Sequence, residues 1–419
     1  MKLLYTIHSV DPAAGGPIES LKQITPVMAA LGHSTDVVSL DASNAPWVRG
    51  LPFPVHAVGP GKGTYGYTPH LVPWLRKHAR EYDAVIVRGI WQYHSFATWR
   101  ALRHSNTPYV VFPHGMLDPW FKHTFPLKHA KKWMYWPWAE YRVLRDAKAV
   151  LYTSEQERVL ARESFWLYRC KEIVIHYGTS EPLGETTTQK EAFFARYPDL
   201  RDKRLALFLG RIHPKKACDV LIEAFAAVLG KNPEWHLVLS GPDQVGWQQK
   251  LIALARARRI EHAITWTGLI TGDVKYGALK AAEVFVLPSH QENFGIVVAE
   301  ALACGTPVLT SKKVNIWREI EQDEAGIVAD DDFEGTCYLL RTWLALQGKQ
   351  KRLMKERAVQ CFRNRFEIKK SAESIVDAIT PVVSPASQIT RAGRTPKPAA
   401  HCAVVSSTQK NKDHMGAAI

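Results

Sequence analysis

The chain has no run of about 18 uninterrupted apolar residues, so no stretch reads as a membrane-spanning helix. Its opening, Met1-Lys2-Leu3-Leu4-Tyr5-Thr6-Ile7-His8, has too short an apolar run for a secretory signal and reads as a first β-strand. Six cysteines, at 170, 218, 304, 337, 361 and 402, are scattered without a C-x2-C pair, which argues against a disulfide framework or a zinc site. A reducing cytoplasm is the expected compartment. Zinc-finger spacing and RRM-like aromatic segments are missing, so nucleic acid is not an expected partner. Acidic residues are also short, 40 against 54 Lys and Arg, and the net charge of +14 favours an anionic substrate or an anionic membrane face.

What is present is enough apolar material for two cores: 419 residues, 46% of them hydrophobic. The first half alternates strand-like runs (3–7, 36–40, 84–87, 109–112, 149–152) with helical stretches. The second half restarts that alternation at 205–209 and continues through 236–239, 264–266, 284–287, 306–309 and 325–328. Strands alternating with helices of this length predict an α/β fold with parallel sheets. The expected organisation is an N-terminal domain over 1–180, a linker at 181–188 rich in Thr, Gly and Pro, and a C-terminal domain over 189–364. A helix at 365–380 then crosses back, and a Pro-, Ser- and Lys-rich tail over 381–419 is expected to be disordered.

The chain is organised around 289–300, Ser-His-Gln-Glu-Asn-Phe-Gly-Ile-Val-Val-Ala-Glu. The apolar strand 284–287 precedes it, and an Ala- and Val-rich helix starts after Gly295. The first N–H groups of a helix lack internal partners and carry the positive end of its dipole, so this point suits a phosphate. Glu292 and Glu300 bracket that helix start with backbones roughly 12 Å apart. That is too far for a close acid/base pair but suits gripping the two hydroxylated ends of a nucleotide-sugar around its diphosphate. Each glutamate reads equally as a loop or surface carboxylate.

Other candidates stand at strand ends. Gly15-Gly16-Pro17 lies between the first strand and the first helix, and is no G-x-G-x-x-G dinucleotide loop. His114 and Arg88 each close a strand, where ligands of open α/β sheets collect. Arg211 and Lys216 flank a strand-to-helix loop, and two cations there neutralise a diphosphate without a metal. Asp330-Asp331-Asp332 resembles a metal-binding carboxylate run but reads as a solvated loop. From 120 to 145 the chain interleaves Lys122, Lys128, Lys131, Lys132, Arg142 and Arg145 with Trp133, Trp136, Trp138 and Phe121. That mixture fits a bilayer interface or a half-buried helix with a basic face.

The spacing Glu292-x7-Glu300 around Phe294-Gly295 resembles the E-x7-E motif of retaining GT-B glycosyltransferases, particularly the large family four. Gly210-Arg211 followed by Lys216, His114-Gly115, the Gly15-Gly16 loop and Thr267-Gly268-Leu269 extend the resemblance along most of the chain. Ala217 stands where the family has Gly, Arg88-Gly89 where it often has His-Gly, and only Gly178 remains of its Pro-Asn-Gly crossing. The resemblance implies two Rossmann-like domains facing a central cleft, the C-terminal one holding the donor and the N-terminal one the acceptor. It implies transfer from a UDP- or GDP-sugar to a saccharide or lipid-linked acceptor, with retained configuration and neither metal nor cofactor. Arg211, Lys216 and the N–H groups near Asn293, Phe294, Gly295, Ile296 and Val297 would meet the diphosphate. Glu292 would meet the sugar hydroxyls and Glu300 the ribose, with His114 beside the sugar, Gly15 and Gly16 over the phosphates and Thr267-Gly268 by the base. Polysaccharide or glycolipid synthesis at the inner membrane face is the expected setting. The rival readings are a nucleotide-sugar epimerase or phosphorylase of the same fold, and a non-catalytic sugar- or lipid-binding protein.

Overall fold

Leu3, Leu4, Tyr5, Val85, Ile86, Leu207, Phe208, Phe285 and Val286 are all buried to within 1% of completely, as expected of strands covered on both faces by helices. The computed structural model describes residues 1–124 and 126–383, except the side chains of Ala14 and His123. Within them, two parallel sheets form.

The first sheet holds β1 (Lys2–Ile7), β2 (Ser34–Ser39), β3 (Val55–Ala57), β4 (Ala84–Arg88), β5 (Tyr109–Phe112), β6 (Ala149–Tyr152) and β7 (Glu172–Val174), in the order β3-β2-β1-β4-β5-β6-β7. The second holds β8 (Arg204–Leu209), β9 (Trp235–Ser240), β10 (Ile264–Gly268), β11 (Val284–Leu287), β12 (Val308–Ser311) and β13 (Gly326–Ala329), in the order β10-β9-β8-β11-β12-β13. In each sheet the winding reverses once, between β1 and β4 and between β8 and β11. Such a reversal leaves a crevice beyond the carboxyl ends of the two strands, where ligands bind. The Gly15 loop and Arg88 sit at the first switch point, and the 210–216 and 288–295 loops at the second.

Sequence reading had no place for β3. It is a half-buried, three-residue edge strand behind Leu51-Pro52-Phe53-Pro54, too short for a periodicity. The linker expected at 181–188 is shorter, because the helix Thr186–Arg196 already begins within it. The returning segment is a π-turn, Phe362–Phe366, followed by the helix Ile368–Ile379. That helix buries Ile368, Ala372, Ile375 and Ile379 and packs on Gly16–Ala30.

The two crossings between lobes are tied together. Thr179 N–H donates to the Phe366 carbonyl (2.9 Å) and Ile368 N–H to the Thr179 carbonyl (3.0 Å). A Cβ on Gly178 would lie 1.8 Å from the Phe366 oxygen, so only glycine fits this crossing. Of the tail expected over 381–419, residues 384–419 lie outside the described residues.

Candidate active site

β8 ends at Leu209, Gly210 follows, and the chain turns through Pro214–Lys216 into the helix Cys218–Val228. Ala217 caps that helix in the left-handed region, φ 53°. A non-glycine residue there costs about 1–2 kcal/mol, which accounts for glycine in the resembling family and shows the loop keeping its course without it. Lys216 is thereby turned inward, its side chain 9% exposed, and its ammonium meets the Glu292 carboxylate directly. Burial and the charges of Lys215 and Arg211 depress the Lys216 ammonium. The touching carboxylate opposes that pull, and at direct contact its attraction prevails.

Glu292 is held by its backbone: its N–H donates to the Lys313 carbonyl (2.9 Å), and its carbonyl accepts from Asn315 N–H (3.0 Å). Gly295, at φ 72°, then starts the helix Ile296–Ala303 without any side-chain cap. Its leading N–H groups therefore face the cleft with their dipole uncompensated.

Across the cleft, β5 delivers His114, whose ring stacks on Phe112 at 5.4 Å and meets Tyr177 edge-on at 6.0 Å. Burial, and then the Arg88 charge, hold His114 well below the usual imidazole range, so it is neutral near pH 7. Its Nε2 is buried without a partner among the described residues. Glu157 sets this turn, accepting from Gly115 N–H (2.6 Å), Thr153 N–H (2.8 Å) and the Thr153 hydroxyl (2.6 Å).

One cavity of about 560 Å³ is lined by Gly15, Gly16, His114, Arg211, Lys216, Glu292, Asn293, Phe294, Gly295, Ile296 and Val297. Arg211 is exposed there, and among the described residues its guanidinium donates to Gln244 Oε1 at 3.3 Å. Three expected residues are not among those lining it. Thr267 and Gly268 end β10, three strands away from β11. Glu300 sits further along its helix, its side chain 5% exposed, in an ion pair with Lys275 Nζ at 2.7 Å. Burial lowers the Lys275 ammonium, but Glu300 and Tyr276 together outweigh it and the net shift is upward. The three aspartates of 330–332 each have a local partner: Lys312 for Asp330 (3.0 Å), His290 for Asp331 (2.8 Å) and the Gly335 N–H for Asp332 (2.7 Å).

Sequence reasoning missed several residues of this site, and for Asn293, which it included, the partner across the cleft. Gln291 donates to Asp118 Oδ2 (2.8 Å) and Asn293 to Thr153 Oγ1 (3.1 Å), joining the lobes directly. Lys215 lies 5.4 Å from the Trp120 ring centroid and 5.5 Å from that of Phe121, with its ammonium pulled down by burial to about 8. Lys275, Glu157 and Tyr177 complete the set. The partners of Gln291 and Asn293 are 173 and 140 residues distant, beyond any local pattern.

Residues 189–360 match the family described as glycosyl transferases group 1, and residues 15–178 match the glycosyl transferase 4-like domain. The D-inositol 3-phosphate glycosyltransferase of Kineococcus radiotolerans is 30% identical over 222 residues, 49% of this chain and 49% of that protein. The protein of the same description from Salinispora tropica is 30% identical over 177 residues, covering 41% of this chain and 36% of its own length. The matched stretches thus span between about a third and a half of these two relatives. Among solved structures, sucrose-phosphate synthase from Thermosynechococcus elongatus superposes with TM-score 0.71 at 21% identity, over 93% of this chain and 98% of that one. Anabaena Alr3699/HepE in complex with UDP superposes with TM-score 0.73 at 18% identity, over 91% of this chain and 100% of that one.

Proposed function

The chain belongs to the GT-B glycosyltransferases of the family-four type, and from that premise we propose that it moves a sugar from a nucleoside-diphosphate sugar to a saccharide or lipid-linked acceptor. The observation that carries this reading is the convergence of Arg211, Lys216, Glu292 and the uncapped helix start at Gly295 on one cavity at a switch point. The barrier in such a transfer is the build-up of charge on phosphate oxygen as the glycosidic C–O bond breaks. Preorganised cations and helix N–H groups accept that charge, so metal and cofactor are not needed. The acceptor oxygen bonds to the anomeric carbon on the face the diphosphate leaves, its proton passes to the leaving phosphate oxygen, and configuration is retained. Glu292 holds sugar hydroxyls and keeps Lys216 charged; neutral His114 offers its free ring nitrogen to the sugar. Glu300 supports the ribose from beneath, with Lys275 balancing its charge.

The acceptor side carries the membrane contact in this reading. The helix Pro126–Tyr135 and its neighbours expose Leu127 (83%), Met134 (71%), Trp138 and Trp166 beside exposed Lys122, Lys128 and Lys131. Apolar and basic side chains on one face suit an anionic bilayer surface. No helix among the described residues is long and apolar enough to cross a membrane.

The test is a melting-temperature screen of UDP and GDP, then incubation with labelled nucleotide-sugars and lipid extract in anionic or neutral vesicles. A nucleoside diphosphate that binds the folded chain raises its melting temperature. Label transferred to acceptor with retained anomeric configuration, in EDTA and more strongly on anionic vesicles, is the expected result. Conversion of donor alone points to the epimerase or phosphorylase reading, and binding without turnover to a non-catalytic protein.

A further inference from the structure

Arg88 is the last residue of β4 and is 2% exposed. Its Nη2 donates weakly, at 3.3 Å, to the Pro17 carbonyl and to Tyr177 Oη. Its Nε and Nη1 are buried with no hydrogen-bond partner, and among the described residues no carboxylate stands within ion-pair distance. The rings of Phe112 and Tyr5 flank it at 5.3 and 5.9 Å. Cation–π contacts of that kind recover about 2 kcal/mol at most, against a desolvation penalty of several kcal/mol for a buried ion. Nearby polar groups are unmatched too: Tyr5 Oη and His114 Nε2 are buried without partners, and both feel the Arg88 charge. A fold does not retain a group of unmet donors at a ligand-binding strand end without a compensating gain.

The missing partner is an anion, and the donor's diphosphate does not match it on geometry: its cradle is built from Arg211, Lys216 and the Gly295 helix start on the opposite lobe. Pro17 and Tyr177 both line the cavity, so the guanidinium sits one residue behind its N-terminal wall. Gly15, at φ 81°, and Gly16 lead into Pro17 at the start of the helix Gly16–Ala30, and a Cβ on either glycine would meet nothing within 4 Å, so that side of the wall is open. We infer that the acceptor carries a phosphate group, and that Arg88, with the Tyr5 hydroxyl, receives it beneath the Gly15-Gly16-Pro17 loop. A guanidinium fork takes two phosphate oxygens and leaves the third for the flanking hydroxyl. This rests on the transferase reading above, deepening it by naming the acceptor class. A sugar phosphate in solution and a lipid-linked phosphate present the same group.

The experiment uses the full chain with UDP or GDP, whichever raises the melting temperature, held at saturation, and titrates inorganic phosphate by calorimetry. Saturable one-site binding is expected, weakened at least tenfold by Arg88→Met while nucleoside diphosphate affinity stays within twofold. In phosphate-free buffer Arg88→Met is also expected to melt higher than the parent, because it removes an uncompensated buried charge. Arg88→Lys, which keeps the charge but not the fork, falls between the two in phosphate affinity. Glucose 6-phosphate and a polyprenyl phosphate in neutral vesicles then separate the sources. An Arg88-dependent gain over inorganic phosphate with the first assigns a soluble acceptor, and with the second a lipid-linked one. Equal phosphate affinity in parent and Arg88→Met, a parallel loss of nucleoside diphosphate affinity, or no gain with either phosphorylated compound overturns the proposal. If phosphate binding depends on Arg88 but no nucleoside diphosphate binds, the anion site stands and the transferase reading falls.

Discussion

The two switch points solve the same problem in opposite ways. On the C-terminal sheet two buried charges near the cleft have met their counterparts: Lys216 with Glu292, Lys275 with Glu300. On the N-terminal sheet Arg88 meets, among the described residues, a carbonyl, a phenol and two rings, and His114 keeps an unmatched nitrogen. A balanced site is already in shape before ligand arrives, as suits one ligand with constant chemistry, the diphosphate. An unbalanced site stores unmet interactions for its ligand to complete. If the proposed reading holds, donor recognition is built into the resting fold, whereas acceptor recognition is deferred until the acceptor is bound.

The largest effect expected from breaking the balanced side is on turnover. Lys216→Ala and Glu292→Ala should each lower kcat by about 10²–10³-fold, the range found when one preorganised charge-stabilising donor is removed. Circular dichroism should remain that of a folded chain, with a lowered melting temperature because each change removes one partner of a mostly buried ion pair. Transfer at the parental rate in both variants would sink the site assignment.

Next in size is the Lys275–Glu300 pair. Removing one partner of a buried pair costs about 3–5 kcal/mol, discounted here to about 2–3 because Lys275 is 20% exposed. Glu300→Ala should therefore melt several degrees lower, the opposite of Arg88→Met. The double variant Lys275→Met with Glu300→Leu should regain much of that stability, because no lone charge remains. If Glu300 also supports the ribose, nucleoside diphosphate affinity stays weak in the double variant although stability returns. Affinity recovering together with stability would reduce Glu300 to a structural role.

These contrasts also mark what could be read in the chain beforehand. The strand–loop–helix at 284–303 announced itself because every part is local: an apolar run, a glycine at positive φ, an alanine-rich helix. The parallel sheets followed from the same alternation repeated. Glu300 was legible as a carboxylate at a set spacing but not as half of an ion pair, because Lys275 approaches from another helix, Gly272–Ala281. Arg88 was visible as a departure from the resembling family. Its solitude was not, since a missing counter-ion is a property of the packed neighbourhood and leaves no mark on the residues beside it.

The smallest expected effect concerns a second isolated charge on the N-terminal side, Glu140. It is fully buried, accepting from Trp91 N–H (2.9 Å) and Ser95 Oγ (2.8 Å), while its Oε2 finds no partner among the described residues. Burial raises its carboxyl to about 7, with those hydrogen bonds and nearby Lys132 opposing. Because the folded value lies above the unfolded one, the folded chain holds a proton between about 4.5 and 7 that the unfolded chain has released. Stability from this residue is thus complete below about pH 4.5 and is lost as pH rises through 7. Glu140→Gln keeps the shape without the charge, so its melting temperature relative to the parent should climb from pH 5 to pH 8. Recording both proteins at each pH cancels the titration of every other group they share. A constant difference across that range would mean that Glu140 ionises as freely as a surface carboxylate, and that burial does not hold a proton on it.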